Sequence, residues 1–375
     1  SLGIPLVLSR TPGLLSIPGG IMVLVDGTQG QIFLDPADDV IARHEAIRRD
    51  QDRLGAMRSA VSPETRTADG TRVLLMANIN LLHELALARD LGAEGVGLYR
   101  SEFPFIIRNE CPTEDDQFRI YRALYDQMGE RPVTLRTLDV GGDKVLGYLA
   151  PPDEDNPFMG LRAIRFTLYH QNIFRDQLRA MLRAGATHQL QIMLPMVGSV
   201  DDLLCARELI RECIDELAAG DVSFNAEPKV GVMIELPSAV ELADELAREA
   251  DFLSLGTNDL VQYMLAVDRT NPHTAAYYAP HHPAVLRALK RVSDAARRHG
   301  KALSLCGEMA RNEHMIPFLI GIGIHVLSMD SHYIPVVQRI IGRLRRDECD
   351  ALAARVLAVP TVREAAELLG IEPQP

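Results

Sequence analysis

The sequence predicts an α/β fold of the (β/α)₈ TIM-barrel type, preceded by a remnant of a second domain and a linker helix. From Asp69 onward, short and nearly continuous apolar runs alternate with longer amphipathic segments. Buried parallel strands and their crossover helices show this rhythm. We count eight such runs, and polar residues end or follow many of them. An open, doubly wound sheet is the alternative that the same rhythm allows.

Two regions precede the predicted barrel. The first holds short β-like stretches broken by Pro-Gly and Gly-Gly turns, too few to close a core alone. We expect it to be the end of a truncated domain, because Ser1 begins neither a signal peptide nor a Met-initiated chain. The second is a charged stretch with apolar residues at helical spacing, which indicates a connecting helix. The predicted regions are therefore 1–36 (domain remnant), 37–68 (linker helix) and 69–375 (barrel).

The eight predicted strands are short, apolar and bounded by polar residues. About 300 residues suit a barrel of this kind once a long insertion between the third and fourth strands is allowed. The strands are VLLMANI (73–79), GVGLYR (95–100), VTLRTLD (133–139), QIMLPM (191–196), VGVMIEL (230–236), FLSLGTN (252–258), ALSLCGE (302–308) and HVLSMD (325–330).

Composition narrows the possible partners. The formal charge of -12 and the lack of a Lys/Arg stripe argue against nucleic acid. No apolar run approaches the length that crosses a bilayer, so we expect no membrane span. The five cysteines form an odd set without a CxxC pair, which suits free thiols in a reducing cytosol. We therefore expect a cytoplasmic protein. If its ligand is an anion, the positive charge that binds it must be confined to one local site.

Four arginines are candidates for binding such an anion. Arg100 ends the second predicted strand and Arg136 follows an apolar run within the third, whereas Arg162 and Arg269 lie in NPFMGLRAIRF and AVDRTNPH. The loops at the carboxyl ends of barrel strands converge on the barrel axis. Arginine suits an anion there, because its planar guanidinium group binds phosphate or carboxylate through two hydrogen bonds. For any one of these arginines alone, a surface ion pair is the ordinary interpretation. As a set, they favour a small ligand with two anionic groups.

Two carboxylates are candidates for holding a metal. Glu235 ends the fifth strand, Asp259 follows the sixth, and Asn258 lies beside it. Neighbouring strands place the two carboxylates at one height, where they can hold Mg²⁺ together with ligand oxygens and water. Neutralisation of the pair by nearby arginines is an equally good interpretation, since the spacing is not diagnostic. Asn258 is a candidate hydrogen-bond partner of the same ligand.

Cys306 ends the seventh strand, before a glycine. A buried structural thiol is the ordinary interpretation. Its place at the carboxyl ends of the strands, which form the mouth of the predicted barrel, favours the alternative. In that interpretation the thiol serves as an acid or a nucleophile. The GGDK segment, 141–144, resembles a flexible loop that contacts anions, although glycine pairs are common in turns.

Motifs over nearly the whole chain are similar to those of enzyme I of the phosphoenolpyruvate-dependent phosphotransferase system. The order and number of these motifs make the resemblance specific. They are GLYRSEFPF, LRTLDVGGDK, NPFMGLRAIRF, LPMVGSVDDL, VGVMIELPS, SLGTNDLVQYMLAVDR, HPAVLRAL and LCGEMA.

The resemblance implies phosphoenolpyruvate and pyruvate as ligands, Mg²⁺ as cofactor, and roles for individual residues. Glu235 and Asp259 would hold Mg²⁺, and Cys306 would be the acid that protonates the enolate carbon. The residues that would contact phosphoenolpyruvate are Arg100, Arg136, Arg162, Asn258 and Arg269.

The resemblance also implies partners. The first 36 residues are similar to the end of the family's swivelling phosphohistidine domain, whose acceptor histidine lies just upstream of an SLGIP-like segment. The phosphoryl group would pass to that histidine and then to a small histidine-containing phosphocarrier protein. A homodimer is implied as well. Ser101, where threonine is more familiar, favours the nitrogen-related branch over the sugar-transport branch.

Two other functions are compatible with parts of the sequence. Without the acceptor histidine, this stretch of chain can act as a dimerising module that binds and senses phosphoenolpyruvate, without transfer. Pyruvate phosphate dikinase and phosphoenolpyruvate synthase share the GTNDL and CGE regions, and TLDVGGDK argues against both.

Overall fold

The computed structural model divides the chain into two compact units, Ser1–Ala60 and Val61–Pro375. In the first unit, strands β1 (Val23–Asp26) and β2 (Gln31–Leu34) form an antiparallel hairpin. The linker helix predicted over 37–68 falls largely outside the described residues. The structure describes residues 20–26, 31–36, 40–41, 62–141, 148, 154–220, 222–271 and 273–372.

Eight parallel strands of the second unit close into a barrel. Each pairs with the next, and the last pairs with the first, with Val326 opposite Leu74 and Met329 opposite Ala77. This closure confirms the predicted barrel and shows that the open-sheet alternative is wrong. A short strand, β3 (Thr65–Arg66), adds antiparallel to the first barrel strand. The barrel strands are β4 (Arg72–Ile79), β5 (Val96–Arg100), β6 (Val133–Arg136), β7 (Leu190–Leu194), β8 (Lys229–Ile234), β9 (Phe252–Gly256), β10 (Ala302–Cys306) and β11 (Val326–Met329).

Helices follow the strands. Three of them begin with a capping box, in which Thr113, Ser199 or Thr361 exchanges hydrogen bonds with the acidic residue three positions later. Among the described residues, no helix combines the length and the apolar character needed to cross a bilayer. The helices are α1 (Glu84–Asp90), α2 (Phe103–Ile106), α3 (Glu114–Met128), α4 (Ile164–Tyr169), α5 (Gln171–Ala184), α6 (Val200–Ala219), α7 (Pro237–Glu241), α8 (Ala243–Glu249), α9 (Thr257–Leu265), α10 (Pro283–Arg298), α11 (Ile316–Gly321), α12 (Ile334–Ile341), α13 (Arg346–Ala358) and α14 (Val362–Leu369).

Alternate strand residues face two different cores. On β9, Leu253 and Leu255 join the large core in which the helices pack. Phe252 instead joins a separate small cluster that also holds Cys306 of β10. This alternation is the period of two that every strand imposes. The thiol therefore lies in the barrel interior, below its carboxyl end.

Several strands end earlier than the sequence predicts. The last strand residues of β6, β8 and β9 are Arg136, Ile234 and Gly256. Asp139 and Glu235 therefore follow their strands instead of ending them, and Asp259 follows β9 as the sequence predicts. Side chains at the carboxyl face of a barrel are expected at these positions.

Candidate active site

Two arginines lie side by side where β5 and β6 end. Arg100 and Arg136 are register partners in the parallel ladder. Arg100 donates to Asn80 Oδ1 at 3.3 Å. Arg136 is buried, forms an ion pair with Glu102, and lies 3.2 Å from a carboxylate oxygen of Asp139. Burial lowers the pKa of Arg136 while Glu102 and Asp139 raise it, so that it stays above its ordinary value and the group remains charged.

Arg162 connects the ends of β6 and β9. Its Nε lies 3.0 Å from Asp139 Oδ1, and its Nη1 lies 3.1 Å from Asp259 Oδ1. Further bonds from Nη2 reach both carboxylates at 3.3 and 3.4 Å, and Nη1 also donates to Tyr263 Oη at 3.2 Å. All five N–H donors of this side chain thus have an acceptor, although only 1% of the residue is exposed. The predicted anion-binding arginine is at the mouth, but protein groups accept all its hydrogen bonds.

The backbone around Arg162 is held in an unusual conformation. Ala163 has a φ of 53°, and its N–H donates to Val140 O at 2.9 Å. A left-handed φ at a non-glycine residue costs free energy and is often found at functional sites. Gly141 has a φ of 105° and lies close to the backbone of Leu161, so that a Cβ at Gly141 would lie 2.5 Å from Leu161 O. The rest of the GGDK segment, from Gly142 on, lies outside the described residues.

Glu235 is buried among like charges. It is 1% exposed, and its Oε1 accepts the N–H of Met196 at 2.6 Å. Met196 is itself left-handed, with a φ of 56°. Burial, followed by the nearby Asp259 and Asp139 carboxylates, raises the pKa of Glu235 to about 8. Gly256 makes room for this side chain, because a Cβ there would lie 2.7 Å from Oε2.

The residues fit a hard divalent cation. Glu235 and Asp259 supply oxygen ligands, and the burial and like charges that raise the pKa of Glu235 are effects that a bound cation would offset. Mg²⁺ is typically held by one or two carboxylates together with ligand phosphate and water. In the part of the chain that the structure describes, no group of three or more His, Cys, Asp or Glu side chains is arranged around a metal position.

Two buried guanidinium N–H groups at the mouth lack a hydrogen-bond acceptor within the described ranges. They are Arg136 Nε and Arg269 Nη1. Arg269 Nη2 lies 3.8 Å from Asp259 Oδ1, which places this arginine against the same carboxylate that Arg162 contacts. Because an unsatisfied buried donor costs free energy, these two groups are candidate donors to an anionic ligand.

Asn258 and Cys306 are placed by neighbouring backbone. Asn258 Oδ1 accepts the N–H of Glu308 at 3.0 Å and so holds the segment after β10. The Cys306 thiol is 4% exposed and donates to Leu255 O at 3.5 Å. Burial raises the pKa of the thiol, a hydrogen bond from Ser254 lowers it, and Glu235 raises it. The thiol is therefore protonated at neutral pH, as a proton donor must be.

Gly307 directly follows Cys306 and packs closely against Asn258. Replacing Gly307 with alanine is therefore expected to disrupt the site. Its φ is 117°, and a Cβ would lie 2.5 Å from Thr257 Oγ1 and 2.8 Å from Asn258 Oδ1. We expect Gly307→Ala to lower the free energy of unfolding by about 2 to 4 kcal/mol through strain and overlap. Urea unfolding measures this change. Gly300→Ala, where φ is also positive but no atom lies within 4 Å, controls for backbone strain alone.

Sequence reasoning assigned no role to three residues that shape the site. Glu102 lies two positions after the end of β5, beyond the predicted second strand, and it contacts Arg136. Asp139 is the last residue of the predicted third strand, and it contacts both Arg136 and Arg162. Tyr263 also contacts Arg162, from one turn further along α9 than Asp259. The helical spacing of four was the available signal for Tyr263.

Four arginines and four acids of the described residues make up the site. The guanidinium groups are those of Arg100, Arg136, Arg162 and Arg269, and the carboxyl groups are those of Glu102, Asp139, Glu235 and Asp259. Because the pKa of Glu235 is raised to about 8, the charges of these groups cancel only once Glu235 is ionised.

Comparison with known proteins identifies relatives over nearly the whole chain. A phosphoenolpyruvate-protein phosphotransferase from Geobacillus stearothermophilus is 41% identical over 97% of this chain and 63% of the relative. Proteins of the same name from Staphylococcus carnosus and Listeria monocytogenes are 40% and 39% identical over 98% of the chain and 65% of each relative. The chain thus spans about two-thirds of the length of these relatives.

A solved structure described as a citrate lyase from Burkholderia xenovorans LB400 aligns with 79% of this chain and 90% of its own, at 19% identity and a TM-score of 0.48. Residues 56–346 match the family model described as "PEP-utilising enzyme, PEP-binding domain". This match covers most of the chain, including all eight barrel strands. The chain therefore belongs to the family of PEP-utilising enzymes and carries the family's PEP-binding domain.

Proposed function

We propose that this chain is the phosphoenolpyruvate-binding region of a phosphoenolpyruvate-protein phosphotransferase. The observation that carries the proposal is the pair of buried, unsatisfied N–H donors on Arg136 and Arg269. A ligand with a phosphate and a carboxylate provides acceptors for both donors. The names of the relatives agree with this ligand.

The arginines position and neutralise the ligand. Phosphoryl transfer requires mainly alignment and charge stabilisation from the protein. Arg100, Arg136 and Arg269 bind the two anionic groups, and Asn258 adds a hydrogen bond. Arg162 contributes by orienting Asp259 or, after its carboxylate contacts rearrange, by contacting the ligand directly. Glu235 and Asp259 would hold Mg²⁺, which would supply further positive charge to the bound ligand.

Cys306 completes the reaction in this proposal. After the phosphoryl group leaves for a histidine of the upstream region, the thiol gives its proton to the methylene carbon of enolpyruvate, and pyruvate forms. The histidine then passes the group to a small histidine-containing phosphocarrier protein. We include in the proposal a cytoplasmic homodimer of the nitrogen-related branch. Neither a dikinase nor a sensing module without transfer is favoured by the names of the relatives.

Calorimetric titration of phosphoenolpyruvate into the chain tests the proposed ligand. We expect binding that Mg²⁺ strengthens, and we expect Arg269→Ala to weaken it by about 10- to 100-fold, the usual effect of losing a charge-assisted hydrogen bond. Glu235→Ala is expected to abolish the strengthening by Mg²⁺ while leaving weak binding in its absence.

The exposed Arg343 provides the matched control. Arg343→Ala removes the same charge outside the proposed site and is expected to leave the dissociation constant unchanged. Equal weakening by Arg343→Ala and Arg269→Ala would contradict the proposed site, because the effect would then come from net charge.

A further inference from the structure

Two serine hydroxyls lie beside the Cys306 thiol in the barrel interior. Ser254 of β9 is 1% exposed, and its Oγ lies 3.8 Å from Cys306 Sγ. Ser304 precedes Cys306 by two residues on β10, so both side chains face the same way. Ser254 and Ser304 are register partners of the parallel ladder. The three polar groups thus form a continuous row across two strands.

The hydrogen bonds of this row have one direction. Ser304 Oγ donates to Ser254 Oγ at 2.9 Å, and Ser254 Oγ donates to Cys306 Sγ. The thiol in turn donates to Leu255 O. Successive donors that point at one atom stabilise negative charge on that atom and reinforce each other.

The row leads away from the mouth. From Cys306, the strand runs back through Ser304, which is partly exposed, to Ala302, which is exposed at the start of β10. Solvent therefore reaches the lower end of the row, whereas Glu235 and Asp259 lie at the upper end of the barrel. A thiol that is 4% exposed and faces a ligand-filled mouth needs another route to exchange its proton.

We propose that Ser254 and Ser304 are positioning residues that stabilise the Cys306 thiolate and return its proton from the amino end of the barrel. This inference rests on the proposed function, in which the thiol is the acid. It goes beyond that function by assigning the group that restores the acid after each reaction.

The proton transfers balance. The S–H bond of Cys306 breaks as the C–H bond of pyruvate forms, and a thiolate remains. Ser254 then gives its hydroxyl proton to the sulfur and takes one from Ser304. Ser304 takes a proton from solvent water at the amino end. The net change is the transfer of one solvent proton to the carbon.

Alkylation of Cys306 by iodoacetamide, followed by mass spectrometry of the peptide that contains it, tests the proposal without any ligand. Only the thiolate reacts. At a fixed pH, we expect Ser254→Ala to slow alkylation of Cys306 about tenfold, since one hydrogen bond to a charged group is lost. Ser304→Ala acts through Ser254, and we expect a smaller slowing of about two- to threefold.

Ser328→Ala is the matched control. Ser328 is a fully buried serine of β11 whose hydroxyl donates to Asn78 and not to the thiol. Its replacement is expected to leave alkylation of Cys306 unchanged. An unchanged or faster rate in Ser254→Ala, or an equal slowing in Ser328→Ala, would overturn the proposal. The dissociation constant for phosphoenolpyruvate should stay within about twofold in all three variants, because no ligand contact is lost.

Exchange of the pyruvate methyl protons in D₂O with Mg²⁺, followed by NMR, separates this inference from the proposed function. This exchange needs the thiolate to take a proton and then to trade it with solvent. We expect Cys306→Ala to abolish it and Ser254→Ala to slow it about tenfold. Exchange that persists in Cys306→Ala, or its absence from the unmodified chain, would contradict the acid role of the thiol. The alkylation rates would still decide whether the serines act on the sulfur.

Discussion

Replacing Arg162 with alanine is expected to destabilise the barrel unit by about 3 to 5 kcal/mol, the usual cost of breaking a buried ion pair. The side chain is 1% exposed and has both Asp139 and Asp259 as partners. Its loss leaves two buried carboxylates facing each other near Glu235, without the guanidinium between them. Urea unfolding measures the loss, and calorimetry is expected to find no saturable binding of phosphoenolpyruvate.

Arg165 provides the comparison for this variant. It lies three residues later on α4, is exposed, and donates to backbone oxygens of Met159 and Gly160. We expect Arg165→Ala to cost less than about 1 kcal/mol, as surface substitutions usually do. A similar small cost for Arg162→Ala would show that the two carboxylates take up protons or water at little expense. In that case the buried ion pair contributes little to the stability of the barrel mouth.

The stability of the chain is expected to fall as the pH rises from about 4.5 to about 8, through the titration of Glu235. In the unfolded chain this carboxyl has its ordinary pKa of 4.5, whereas burial raises the pKa to about 8 in the folded chain. Within this window the unfolded state has lost the proton and the folded state keeps it, so stability decreases with pH. The full effect is on the order of 5 kcal/mol, and it is complete above pH 8.

Glu235→Gln isolates this effect, because the amide cannot ionise. The free energy of unfolding of the variant, relative to that of the unmodified chain, is expected to rise between pH 5 and pH 8 and to stay level above it. The comparison is made without divalent cations, since a bound cation favours the ionised form. Glu241→Gln, at an exposed carboxylate, is the control and should follow the unmodified chain. Parallel curves for Glu235→Gln and the unmodified chain would show that Glu235 is ionised throughout.

The barrel follows from the sequence because its signals are local. Each strand is a short apolar run, and each polar residue after it is placed by the direction of a parallel strand. That rule brought Arg100, Arg136, Glu235 and Asp259 to one end, and the structure places them there. Two of the predicted strands end too late. Leu138 continues the apolar run beyond β6, which ends at Arg136, whereas Thr257 and Asn258 after β9 already belong to α9.

The partners of each side chain did not follow from the sequence. Arg162 comes from the long insertion between β6 and β7, and its position depends on the left-handed turn at Ala163, for which alanine gives no signal. Likewise, the spacing of Ser304 and Cys306 puts them on one face, but only the closed barrel shows that the face is the interior. The burial of Glu102 could not be predicted either, because the residue directly precedes the short helix α2 and no local pattern shows how that helix packs.

The equal numbers of guanidinium and carboxylate groups around the mouth have a consequence for affinity. Once Glu235 is ionised, the charges of the site cancel, and an anion that binds without a cation gains little, because each arginine is already attracted to a carboxylate. An anion that binds together with a cation changes the net charge of the site least. Each of the two would then strengthen binding of the other by the same factor, as thermodynamic reciprocity requires. Such a site is therefore expected to select an anion and a cation that bind together.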